Sequence, residues 1–242
     1  MPSIEKFNQE VIENIKRQGD DLELKRKSLQ YLTGLEKYSY NFKWLGRPII
    51  QLPQDILALQ EIIWNIRPDL IIETGIAHGG SIVFSASMLE MMGIDGHVLG
   101  IDIDIRTHNF GEIVRHPMYH RITMLEGSST DAKIAEKVRE FAKNKARILV
   151  CLDSNHTHDH VLKELHLYAP LVTIGSYCVV FDTVIEDMPA EKFHDRPWGP
   201  GNNPKTAVHA FLKSDPHFEI DRSMEHKLLL TAAPDGYLKR IR

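Results

Sequence analysis

The residues able to do chemistry gather at the carboxyl ends of short apolar runs. Glu73 closes Leu70-Ile-Ile, Asp102 closes Val98-Leu-Gly-Ile, Asp153 closes Ile148-Leu-Val-Cys-Leu, and Asp182 closes Tyr177-Cys-Val-Val-Phe. A Gly127-Ser128 turn follows the run Arg121-Ile-Thr-Met-Leu125. One acid after a strand says little. Four acids and a glycine turn at successive strand ends mark one edge of a sheet as a binding edge, which is where open α/β sheets hold their ligands.

The segment Glu73-Thr-Gly75-Ile-Ala77-His78-Gly79-Gly80-Ser81 loosely fits a nucleotide-binding turn, with Ala77 at the second glycine position. Glycine there lets the backbone turn tightly and approach a ligand, although a purely structural turn uses glycine too. Glu73 discriminates between ligands. A carboxylate before the turn repels a pyrophosphate but suits the ammonium and sulfonium of S-adenosylmethionine (SAM). Asp102 can accept hydrogen bonds from both hydroxyls of a ribose, a feature shared with nicotinamide enzymes. The expected donor-binding set is Glu73, Gly75, Ala77, His78, Gly80, Ser81 and Asp102, with Gly127 and Ser128 flanking the adenine. The Gly127 turn reads equally well as the start of a helix cap. A nicotinamide-dependent oxidoreductase is the alternative, and a cofactor-binding protein with decayed catalytic strand ends is a third reading.

The run Asp153-Ser-Asn-His156-Thr-His158-Asp-His160 is the most polar strand end. Three histidines so close raise a metallo-hydrolase, but the run is one residue short of His-x-His-x-Asp-His. On a helix, His158 and His160 also point apart, so both are expected as solvated or partly packed helix residues. His156 falls in the turn before that helix. With an ordinary pKa of about 6.5 it is a candidate general base beside Asp153, or a histidine that only hydrogen-bonds its loop.

The elements that must position these residues alternate. Residues 4 to about 32 form a charged helical lead-in, followed by an aromatic cover segment to about residue 52. A helix over Pro53–Ile66 opens a Rossmann-like domain over residues 53–242. Strands are expected near Asp69–Glu73, Val98–Ile101, Arg121–Leu125, Arg147–Leu152 and Tyr177–Phe181. Helices are expected over Ser81–Met92, Thr130–Ala142 (capped by Ser129 or Thr130), Thr157–Tyr168 and Lys205–Leu212. Phe218–Ile220 and Leu228–Thr231 read as a closing antiparallel pair. Strands separated by helices imply a mostly parallel sheet covered on both faces. The long Pro/Gly/Asn-rich loop 188–204 is a candidate acceptor lid: Trp198 can stack on a ring, and Asn202, Asn203 and Lys205 can bind hydroxyls. A rigid surface loop shaped by its prolines and glycines is the other reading.

A net charge of −4 gives no general reason to bind nucleic acid or an anionic membrane. Cys151 and Cys178 lie in apolar runs and read as reduced core thiols. The first residues lack the apolar stretch of a signal peptide, so a cytoplasmic enzyme with a small-molecule acceptor is expected, with homo-oligomerisation left open.

Together, Ile71-Ile-Glu-Thr-Gly-Ile-Ala-His-Gly-Gly-Ser81, Val98-Leu-Gly-Ile-Asp-Ile-Asp104 and Leu152-Asp-Ser-Asn-His-Thr-His158 resemble the SAM-dependent methyltransferases of the cephalosporin hydroxylase / rhamnosyl O-methyltransferase family. The resemblance runs from about Trp44 to the C-terminus. It implies a class I methyltransferase fold, seven strands with one antiparallel strand at an edge, and O-methyl transfer to a glycosyl, antibiotic or polyketide hydroxyl. It also implies Mg²⁺ held by Asp153 and Asp182, with His156 assisting as base. Members carry a second acid after the first metal-region Asp and Glu-Asp at the fifth strand end; this chain has Ser154 and Phe181 there. Glu186 and Asp187, one turn on, are the candidate substitutes.

Overall fold

The computed structural model describes residues 3–242. Two amphipathic helices lead in, α1 (Ile4–Asp20) and α2 (Leu22–Gly34). The single expected helical stretch breaks at Asp21, whose carboxylate caps α2 by accepting from the Leu24 amide. A hairpin follows, β1 (Lys43–Trp44) and β2 (Arg47–Pro48), and leads into α3 (Pro53–Ile66). Pro53 occupies the first helical position, where its missing N–H has no intrahelical partner to lose.

The chain then alternates. In order come β3 (Leu70–Thr74), α4 (Gly80–Met91), β4 (His97–Asp102), α5 (Thr107–Val114), β5 (Ile122–Glu126) and α6 (Ala132–Ala142). Next are β6 (Ile148–Leu152), α7 (His158–Tyr168), β7 (Tyr177–Val180), α8 (Pro204–Ser214), β8 (Phe218–Ile220), α9 (Arg222–Leu228) and β9 (Tyr237–Arg240). The seven-stranded sheet has the order β5-β4-β3-β6-β7-β9-β8, parallel except for β9, which runs antiparallel to both of its neighbours. This is the expected fold, except that the antiparallel strand lies one place in from the edge, between β7 and β8.

Alternate strand residues bury on opposite faces. Ile71, Val98, Leu149, Val179 and Tyr237 join Leu59, Ile63 and Phe84 of α3 and α4. Ile72, Leu99, Val150, Cys178 and Leu238 join Val138, Leu165 and Phe211 of α6, α7 and α8. Each such fully buried aliphatic side chain contributes roughly 1.5–3 kcal/mol. Both cysteines are buried free thiols. No helix among the described residues is long and apolar enough to cross a membrane.

Two expectations are corrected and one element is added. The last strand is Tyr237–Arg240; Leu228 ends α9, and the chain turns at Leu229, which has positive φ. Asp131, not Ser129 or Thr130, caps α6, because Ser129 is drawn towards α7: its hydroxyl meets His160 and its carbonyl accepts from Tyr168. Helix α5 was not anticipated.

Candidate active site

Strand order brings the ends of β4, β3, β6 and β7 side by side, so Asp102, Glu73, Asp153 and Asp182 fall along one edge. The turn after β3 is built on close approach. Gly75 has φ of 92°, and a Cβ there would overlap the carbonyl oxygen of Asp153. Ala77 also adopts positive φ, at 46°. That conformation is held from outside: the Ile76 and Ala77 amides donate to Asp102 Oδ2 at 2.8 and 3.0 Å. Asp102 therefore organises the glycine turn, and Oδ1, which faces the Asp104 amide at 3.2 Å, keeps lone-pair capacity for a ribose hydroxyl. The Gly127 amide donates to the Asp102 carbonyl, bringing the Gly127-Ser128 turn to the same side.

A second layer supports this turn, and the sequence motifs did not reveal it. Arg47 donates to the His78 carbonyl and to Asn109 Oδ1, and buried Asn109 donates to the Ala77 carbonyl. His78 Nδ1 lies 3.4 Å from Asn109 Oδ1, so His78 is tied to the turn by its backbone and its ring.

Glu73 is 3% exposed and accepts from Ser81 Oγ. Burial, with the nearby Asp153 charge adding to it, pushes its carboxyl up to about 8 despite the Ser81 hydrogen bond. A buried acid in this condition is a ready partner for a cation. Beside it lies a cavity of about 40 Å³ bounded by Gln51, Gly75, Ser81 and Asp153.

At the next two strand ends, Asp153, His156 and Asp182 form the one three-residue metal-type cluster among the described residues, with donor atoms within 4.8 Å of one another. His156 Nδ1 lies 2.8 Å from Asp182 Oδ2. Asp182 has φ of 54°, a strained geometry for a non-glycine residue. Loss of water, then the Asp182 charge, raises Asp153 to about 7, with His156 opposing. For His156, burial pulls the pKa down but Asp182 and Asp153 outweigh it, lifting it to about 9. This corrects the expectation of an ordinary imidazole: the two carboxylates favour a positive charge on the ring beside them. Hard carboxylate oxygens in this pairing fit Mg²⁺.

The expected substitutes do not reach the cluster. Glu186 accepts from the Gly201 amide and Asn203 Nδ2, and Asp187 pairs with Lys205 Nζ at 2.6 Å. Ser154 turns away, donating to buried Glu164 at 2.7 Å. His160 Nε2 joins the same network through Ser129 and Ser154, while His158 Nδ1 meets Thr206 Oγ1.

Of the acceptor-loop residues, Trp198 alone reaches the chemistry: its ring packs on His156 with centroids 4.8 Å apart, and Arg196 lies over it at 5.6 Å. Asn202 accepts from the His158 amide and donates to the Pro197 carbonyl. Buried Asn203 caps α8 in a reciprocal box with Thr206. Both amides are thus engaged in shaping the loop. Lys205, held by Asp187, lines a separate cavity of about 380 Å³ with Leu29, Leu32, Val184 and Leu229. A wider open hollow of about 670 Å³, near Arg139, Lys145 and Arg240, lies at the opposite end of the strands, away from every group described above.

The chain resembles known proteins in sequence and in fold. The sequence profile of the family described as Rhamnosyl O-methyltransferase/CmcI matches residues 36–241. The chain is 34% identical over 194 residues to a rhamnosyl O-methyltransferase of Mycobacterium bovis, covering 77% of this chain and 73% of that one. With the Mycobacterium leprae protein of the same name it shares 33% over 201 residues, covering 81% and 82%. Among solved structures, a CmcI structure with Mg and SAM superposes with a TM-score of 0.58 at 19% identity, over 84% of this chain and 78% of that one. A mycinamycin-pathway methyltransferase with Mg, S-adenosylhomocysteine (SAH) and mycinamycin VI gives 0.51 at 16%, over 77% and 48%. At these identities the superpositions speak to the fold.

Proposed function

The chain belongs to the rhamnosyl O-methyltransferase/CmcI family and methylates oxygen with SAM as donor, and we propose that its acceptor is a sugar hydroxyl of a small glycosylated metabolite, engaged beside a Mg²⁺ site formed by Asp153 and Asp182. The nicotinamide and decayed-protein readings fall away with family membership. The observation that carries the proposal is the Asp153–His156–Asp182 cluster beneath Trp198, in a chain 34% identical to rhamnosyl O-methyltransferases.

Each residue has work set by its position. Glu73 and Ser81 receive the cationic methionine end of the donor, and Asp102 receives the ribose. Asp153 and Asp182 would hold the cation. When bound, Mg²⁺ supplies Lewis-acid polarisation that lowers the pKa of the acceptor hydroxyl. His156 Nδ1–H donates to Asp182 in either protonation state, so it acts first by fixing that carboxylate's direction. Trp198 covers His156 and offers an aromatic face to a sugar ring while excluding water. The separate cavity between α2 and the turn after β7, lined by Leu29, Leu32, Val184, Lys25 and Lys205, is the candidate place for a larger acceptor's remainder. The cytoplasm is the proposed compartment, a reading supported by two buried free thiols.

The test is methyl transfer from SAM to rhamnose-bearing glycosides, followed by mass spectrometry, with and without chelator. Chelator should abolish most turnover, added Mg²⁺ should restore it, and Asp182→Ala should be far worse than His156→Ala. Full turnover in chelator would remove the metal from the reading. Methylation of non-sugar hydroxyls alone would remove the acceptor class.

A further inference from the structure

Gln51 is 6% exposed, and its side-chain oxygen is buried without a hydrogen-bond partner. Leaving such an oxygen unpaired is unfavourable by roughly 1–3 kcal/mol, and native proteins keep few of them outside sites where another molecule supplies the donor. Gln51 belongs to no nucleotide-binding motif and precedes the glycine turn by more than twenty residues, yet it lines the cavity bounded by Gly75, Ser81 and Asp153.

Its backbone is fixed on both sides. Ile49 is buried and its amide donates to the Phe42 carbonyl, while Leu52 and Pro53 start α3. The Pro48 carbonyl lies so close to Gly80 that any Cβ there would overlap it, which clamps this segment onto the first turn of α4. The amide is therefore preorganised rather than free to swing out to water.

Only a hydrogen-bond donor can satisfy Gln51 Oε1. SAM offers three kinds: the adenine amino group, the ribose hydroxyls and the α-ammonium. The ribose hydroxyls have their own acceptor in Asp102, whose carboxylate already holds the Ile76 and Ala77 amides. The cavity at Gln51 is lined by Ile76 and Ala77 of the glycine turn and also by Ser81, the residue that hydrogen-bonds Glu73, which brings Gln51 to the acid that receives the methionine end. We propose that the Gln51 side-chain oxygen accepts a hydrogen bond from the α-ammonium of the methyl donor, sharing that group with Glu73. An ammonium carries three donors and one carboxylate leaves some unpaired, so a neutral acceptor opposite Glu73 completes the shell without adding a second buried charge. Gln51 thereby selects donors that retain the amino-acid portion.

The inference rests on SAM as donor, and calorimetry with two ligands separates the two ideas. SAH carries the ammonium; 5′-methylthioadenosine keeps the adenine, ribose and sulfur but lacks it. Gln51→Met should weaken SAH roughly 10–100-fold, the range for one hydrogen bond to a charged group, and leave methylthioadenosine within about twofold. Methylthioadenosine binding also reports that the variant is folded. Gln51→Glu, which keeps an acceptor but adds a second carboxylate, should bind SAH more tightly than Gln51→Met and less tightly than the unaltered protein. Equal weakening of both ligands by Gln51→Met would show that Gln51 only supports the fold, and no weakening of either would show that it does not touch the donor. Absence of SAH binding to the unaltered protein would overturn the donor assignment and this inference together.

Discussion

Replacing Glu73 by Gln tests the donor site through the protons it exchanges. The unaltered carboxyl has its pKa raised from 4.5 to about 8, chiefly by burial. A folded-state pKa above the unfolded value means that its stabilising contribution is complete below pH 4.5 and is lost as pH rises towards 8. At pH 7 the linkage integral gives a loss of ~3 kcal/mol, which Glu73→Gln avoids because its amide stays neutral. The ligand-free variant should therefore match the unaltered protein at pH 4.5 and exceed its stability at pH 7–8. Binding reverses the preference. The donor ammonium favours ionised Glu73, and about nine-tenths of these carboxyls carry a proton at pH 7, so SAH binding should release about 0.9 proton. The apparent affinity should rise about tenfold per pH unit until pH 8. Calorimetry at pH 7 in buffers of different protonation enthalpy reads the proton count directly. For Glu73→Gln the contribution should vanish while SAH binds more weakly. An identical proton count in both proteins, or none in the unaltered one, would refute the assignment of Glu73 as the ammonium's counter-ion.

Two further substitutions address the loop. Trp198→Ala removes the ring that packs on His156, so acceptor kcat/KM should fall well over tenfold while SAH affinity stays within about twofold by calorimetry; equal loss of SAH binding would assign Trp198 to the donor or the fold. Asn203→Ala removes the cap of α8 and a partner of Glu186, a loss of about 2–3 kcal/mol that should lower Tm by roughly 5–10 °C; an unchanged Tm would show that the loop does not depend on this residue.

Much of the site was legible because strand ends in this fold class are also ligand positions. Glu73, Asp102, Asp153 and Asp182 each follow an apolar run, and parallel pairing then aligns them without further information. What was missed depends on tertiary context. The Leu228-Leu-Leu-Thr231 run has the composition of a buried strand, and periodicity cannot separate such a run from a helix end. The true strand, Tyr237-Leu-Lys-Arg240, is half cationic and lies at the chain end, so its place between β7 and β8 is decided by pairing. Helix α5 is short and carries Gly111 within it. Ser129, Thr130 and Asp131 are all good caps, and the choice follows from contacts with Tyr168 and His160 on another helix. Gln51 has no sequence signal: its meaning is an unpaired oxygen, visible only once the cavity is built.

The acceptor loop shows how one segment can be both structural and functional. Glu186, just after β7, binds the Gly201 amide and Asn203; Asn203 caps α8; Asn202 receives the first amide of α7. The loop is thus pinned to the three elements that surround Asp182, and Asn203 is wholly buried. A segment bonded in this way does not need to order itself over an arriving acceptor, because the entropy of fixing its backbone is already offset by its own hydrogen bonds. Trp198, half-exposed at its tip, is the part left free to answer the acceptor. Its partner His156 is hydrogen-bonded to Asp182, so any movement of the indole is felt at the carboxylate that would hold the cation. Acceptor recognition and the direction of Asp182 are therefore linked through one stacked pair, which is why the loss on Trp198→Ala should appear in acceptor turnover rather than in the donor's binding constant.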